Sequence, residues 1–133
     1  MAGIAYVDSS ALLKLAFDEA ETAALEADVS ERDGLVSSRL TAVECGRALG
    51  REPTRQARYA LEQLLESVFL VDISAEIVER AVNIAPPALR SLDAIQLVTA
   101  LAATDPSLAV ITYDQRLADA ARAHGLTVVQ PGL

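Results

Sequence analysis

Short apolar runs alternate along the chain with longer stretches in which apolar residues recur every three or four positions. The first pattern predicts buried strands and the second amphipathic helices. Ile4 to Val7 reads as a strand, and Ser9 to Phe17 follows with Leu12, Leu13, Ala16 and Phe17 at helical spacing. Glu19 to Arg32 predicts a second helix, Leu35 to Ser37 a strand, and Arg39 to Leu49 a third helix ended by Gly50. Pro53 suits the first turn of a helix to about Val68. Phe69 to Ile73 is the next strand, with Ser74 as N-cap of a helix that Pro86 and Pro87 bring to an end near Ile84. Ser91 is placed to cap a helix from Leu92 to about Thr104 that is apolar on nearly every side and therefore buried. Leu108 to Thr112, then Asp114 to His124 stopped by Gly125, then Leu126 to Val129 complete the chain as strand, helix and strand.

Five strands alternating with about seven helices predict a three-layer α/β/α domain with a mainly parallel sheet. At 133 residues the expectation is one domain over residues 1–133, without a linker or an internal repeat. Hydrophobic residues make up 52% of the chain, a surplus that leaves apolar surface for a homodimer or another partner. No apolar run approaches the ~20 residues of a membrane span. The first residues lack a basic leader, and the single cysteine, Cys45, excludes an internal disulfide and a cysteine zinc cage. The expected setting is cytoplasmic.

A formal net charge of −8 argues against nucleic-acid binding by bulk electrostatics. The charge is unevenly placed, however. Asp18 to Asp33 carries seven acids against Arg32 alone, whereas Arg39 to Arg58 carries five arginines against Glu44 and Glu52. Both stretches read as solvated helix faces, and the second, with Arg39, Arg47 and Arg51, also stands where it would flank an anionic substrate.

Asp8, Asp93 and Asp114 stand at strand-to-helix joins or in the first turn of a helix, and Glu44 lies early in the helix after the second strand. In an open parallel sheet such positions line the crevice beyond the carboxyl ends of the strands, so carboxylates far apart in sequence converge there. Two such charges roughly 4 Å apart repel by about 4 kcal/mol at an effective dielectric near 20, which calls for a cation. An all-oxygen set suits Mg²⁺ or Mn²⁺. Each acid also has a purely structural reading. Asp8 and Asp114 are placed to cap helices, Asp93 to meet a helix dipole, and Glu44 to pair with Arg47 on a surface.

His124, the only histidine, sits at a helix end, which removes a Ser-His-Asp triad, and Cys45 has no histidine to activate it. No glycine-rich phosphate loop is present.

The ordered set Val7-Asp8-Ser9-Ser10-Ala11-Leu12, Glu44, Leu92-Asp93-Ala94-Ile95 and Val110-Ile111-Thr112-Tyr113-Asp114, closed by Ala121 to Val129, resembles the PIN-domain nucleases over essentially the whole chain. The likeness is to the small toxins of VapBC-type toxin-antitoxin pairs. That resemblance implies a sheet in the order 3-2-1-4-5, with Asp8 and Asp114 meeting at the switch point. It implies Asp8, Glu44, Asp93 and Asp114 as catalytic, metal-holding acids, with Ser9 and Thr112 as supporting polar groups. It further implies one or two Mg²⁺ or Mn²⁺ ions, endonucleolytic cleavage of RNA, and inhibition by a small VapB-type antitoxin. Two other readings compete. A receiver-like signalling domain needs a lysine at the end of the last strand, but the only lysine is Lys14 in the first helix. A catalytically idle binding subunit of the same fold has no need of a complete acid set.

Overall fold

The computed structural model describes residues 3–50, 54–103 and 105–133. Its elements run β1 (Ile4–Val7), α1 (Ser9–Ala16), α2 (Thr22–Ser30), β2 (Gly34–Ser38), α3 (Arg39–Leu49), α4 (Arg55–Glu66), β3 (Val68–Val71), α5 (Ala75–Asn83), α6 (Ser91–Ala102), β4 (Ala109–Ile111), α7 (Gln115–Ala123) and β5 (Thr127–Val129). The strands form one sheet in the order β3-β2-β1-β4-β5, with every pairing parallel. The expected order is therefore the observed one.

Side chains alternate across the sheet because successive strand residues point to opposite faces. Ala5, Val7, Leu35 and Ile111 face one way and pack with Leu12, Leu25, Leu49 and Leu61 of α1 to α4. Tyr6 and Val110 face the other way and pack with Ala100 of α6, beside a cluster in which Leu97 meets Leu117 and Ala121 of α7. Strands covered on both faces explain why these runs are apolar throughout rather than alternating.

Several boundaries differ from the sequence-based expectation, each for a local reason. Ser91 is the first residue of α6 rather than its cap, and the cap position falls on Arg90, which makes no side-chain capping bond. The second helix begins at Thr22 instead of Glu19, because the Thr22 hydroxyl donates to the carbonyls of Lys14 and Phe17 and receives the Glu19 N–H. Gly50 ends α3 with ordinary right-handed backbone, whereas Gly125 ends α7 at φ 84°, the left-handed conformation that only glycine adopts without cost. Pro53 lies outside the described residues. Ser74 caps α5 through the Ile77 N–H, as expected.

The acids at and before α2 are answered by cations from the flanking segments. Lys14 reaches Glu19 at 3.5 Å and Glu21 at 3.3 Å, while Arg32 pairs with Asp28. Among the described residues, no helix is long and apolar enough to cross a membrane.

Candidate active site

The register of the two central strands builds the site. Val7 pairs with Ile111, so the next residues, Asp8 and Thr112, leave the sheet side by side at its carboxyl end. Thr112 Oγ1 donates to Asp8 Oδ2 at 2.6 Å. Asp8 Oδ1 accepts from Ser10 Oγ at 2.6 Å and from the Ala11 N–H at 3.0 Å, so the same side chain also caps α1. Asp114 is the N-cap of α7, receiving the N–H groups of Arg116 and Leu117 on Oδ1, and its own N–H donates to Thr112 Oγ1 at 3.1 Å. The capping reading of both aspartates is correct. It leaves room for a second role, because the same placement sets both at the mouth of the crevice.

Glu44 is not in a surface pair with Arg47; no ion pair joins the two. It turns inward from α3, where Oε1 accepts from Ser9 Oγ at 3.3 Å and from Gln96 Nε2 at 2.9 Å. Asp93 lies in the first turn of α6, half-buried, and its carboxylate takes part in no hydrogen bond among the described residues.

Electrostatics tie the four acids into one group. Burial, then the neighbouring charges of Asp114 and Glu44, pushes the Asp93 carboxyl up, against the pull of Arg90 and Arg116. Burial pushes Asp8 up to about 6, with hydrogen bonds from Ser10, Thr112 and Ala11 opposing and the charge of Asp114 adding a smaller push. Burial raises the Cys45 thiol to about 12, helped by Glu44 and Asp8, which leaves it protonated and inert as a nucleophile. Each of the four carboxylates therefore lies within electrostatic range of at least one other, yet no three of them stand close enough to ligate a single ion directly. Hard oxygen donors without a paired lysine suit Mg²⁺ or Mn²⁺, and Mg²⁺ commonly keeps several waters and takes only one or two carboxylates directly. The donor set fits such an ion with water completing its shell.

Of the residues the sequence singled out, Ser9 contacts Glu44 and Thr112 contacts Asp8. Arg39 is held away in an exposed ion pair with Asp72, Arg47 is exposed in the last turn of α3, and Arg51 lies outside the described residues. The sequence reading missed Ser10, Gln96, Arg90 and Arg116. Gln96 carried a signal: a carboxamide at a buried position of an otherwise apolar helix needs partners. Arg116, two residues after Asp114, also lines a cavity of about 430 Å³ with Pro86, Ala88 and Leu89.

Comparison with known proteins settles the family. The family model of the PIN domain matches residues 5–123. The chain belongs to the PIN-domain family. It is 41% identical over 131 residues to the ribonuclease VapC35 of Mycobacterium tuberculosis, covering 96% of each chain. The PIN fold is shared with the crystal structure of Mycobacterium tuberculosis VapC20, a toxin that cleaves the sarcin-ricin loop, at a TM-score of 0.74 and 18% identity over 96% of this chain and 99% of that one. A toxin-antitoxin complex from Klebsiella pneumoniae superposes with a TM-score of 0.68 and 24% identity, covering 96% and 97% of the two chains.

Proposed function

We propose that this PIN domain is the endoribonuclease toxin of a type II toxin-antitoxin pair, hydrolysing RNA phosphodiester bonds at the crevice where β1 and β4 end. What supports the reading is the electrostatic coupling of Asp93 to Asp114 and Glu44, and of Asp8 to Asp114, in a chain 41% identical to a ribonuclease. Asp8, Glu44, Asp93 and Asp114 would hold Mg²⁺ or Mn²⁺, one or two of them directly and the others through its waters, and the ion when bound lowers the pKa of a water and offsets charge on the phosphate. Asp8, fixed by three donors, is the rigid anchor of the set. Asp93, half-buried and bonded by no described side chain, is the carboxylate open to a water aligned on the phosphorus. Water adds to phosphorus, the bond to the leaving ribose oxygen breaks, and a proton returns to that oxygen.

Arg90 and Arg116, the cations that act on Asp93, are the groups that would meet phosphates flanking the scissile one. The complex from Klebsiella pneumoniae joins a toxin to its antitoxin. By analogy this chain takes a cognate VapB-type antitoxin, with an arginine or lysine entering the acidic crevice, and the apolar surplus serves a homodimer. Purified protein incubated with structured RNAs should cleave them in Mg²⁺ or Mn²⁺ and stop when a chelator is added. Cleavage that survives the chelator would reject the metal-dependent reading.

A further inference from the structure

Gln96 is 2% exposed on α6 among the buried Ala94, Leu97, Val98 and Ala100. A carboxamide at such a place is costly unless its donors and acceptor are met, and here they are. Its Oε1 accepts from the buried Tyr6 hydroxyl, and its Nε2 donates to Thr41 Oγ1 at 2.9 Å and to Glu44 Oε1 at 2.9 Å. The Glu44 end fixes the orientation of the amide chemically. An ionised carboxylate only accepts, so Glu44 requires the NH₂ group. With the NH₂ group turned to Glu44, the carbonyl faces the Tyr6 hydroxyl, which donates to it. The amide thus joins β1, α3 and α6 at one point beneath the acids. Glu44 Oε1 is taken by Gln96 and Ser9, whereas Oε2 accepts from no described residue.

We propose that Gln96 is a positioning residue of the nuclease site, pinning one oxygen of Glu44 so that the other is aimed into the crevice as a metal-holding oxygen. The inference rests on the metal-dependent ribonuclease reading of the four acids. Groups that orient metal-holding side chains are worth about 10- to 100-fold in metal affinity or activity. Gln96→Leu should therefore weaken Mn²⁺ binding, measured by calorimetry, by about tenfold or more, and lower kcat by about 10- to 100-fold. It should leave KM for RNA within about twofold, because no phosphate touches the amide.

A double-mutant cycle on Mn²⁺ affinity separates positioning from packing. In a Glu44→Gln background, Gln96→Leu should add less than about twofold, since the carboxylate it positions is gone. Tyr6→Phe keeps the aromatic packing, frees the amide to turn over, and should give a smaller loss in the same direction. Wild-type Mn²⁺ affinity and kcat in Gln96→Leu would overturn the proposal, as would an equal loss with and without Glu44. If Gln96→Leu does not fold, wild-type Mn²⁺ affinity in Tyr6→Phe would overturn it. Weakened Mn²⁺ binding in Gln96→Leu, in a protein whose wild type cleaves no RNA, would sink the nuclease reading and keep the positioning role. Cleavage lost in Asp93→Asn but intact in Gln96→Leu would do the reverse.

Discussion

Asp8 is 4% exposed and accepts three hydrogen bonds, yet its carboxyl titrates near pH 6 because burial withholds solvation from the anion. Between the unfolded value near 4 and the folded value near 6, the folded protein holds the extra proton, so stability falls as pH rises through that window. The displacement of about two units sets a ceiling of roughly 3 kcal/mol. With a chelator present, Tm of the wild type should drop from pH 5 to pH 7.5, and Asp8→Asn should flatten the drop; identical pH slopes would contradict the raised carboxyl. The same proton competes with a divalent ion, so Mn²⁺ affinity should rise with pH through about 6. At this scale Asp8 was legible from its place after a strand. Its partners Ser10 and Thr112 lie 2 and 104 residues away, and the longer link depends on a strand register that spacing does not reveal.

The elements were legible where periodicity was long and punctuated, as in α5 between Ser74 and the prolines, and α7 before Gly125. They were misplaced where a side chain overrode local pattern, as at Thr22, or where a cap was inferred from residue type alone, as at Ser91. α6 shows what hydropathy hides. Its buried face predicts burial correctly, while Gln96 puts a polar group into that face for reasons that lie on β1 and α3, and Thr99 turns its hydroxyl onto the Ile95 carbonyl one turn back. Leu97 on this helix is 1% exposed between α6 and α7, so Leu97→Ala should cost about 2–5 kcal/mol in a denaturant titration. A loss below 1 kcal/mol would mean the two helices do not share a packed core. We also expect an arginine track other than the one on α3. With Arg39 bound to Asp72, we expect the RNA backbone to follow Arg90 and Arg116, at the first turns of α6 and α7. Replacing both should reduce the salt dependence of RNA binding by roughly one unit of slope per lost phosphate contact, with Arg47→Ala changing it less. The opposite ranking would return the track to α3.

For the whole molecule, the parallel order β3-β2-β1-β4-β5 brings acids from residues 8 to 114 to one end of the sheet, and the chain accepts their repulsion there. Sites of this kind cost stability in exchange for chemistry. Expression of the chain alone should arrest growth, and co-expression with its antitoxin should restore it and yield a complex with little nuclease activity; unhindered growth at high soluble levels would remove the toxin role. The most direct test of the acid cluster compares wild type and Asp93→Asn in single-turnover RNA cleavage and in Tm, each with Mn²⁺ and with chelator. Asp93→Asn should cleave at least 100-fold more slowly, keep or raise the Tm in chelator, and gain less Tm from Mn²⁺ than the wild type does. Cleavage at the wild-type rate, or a loss of cleavage matched by a loss of folding, would contradict the account.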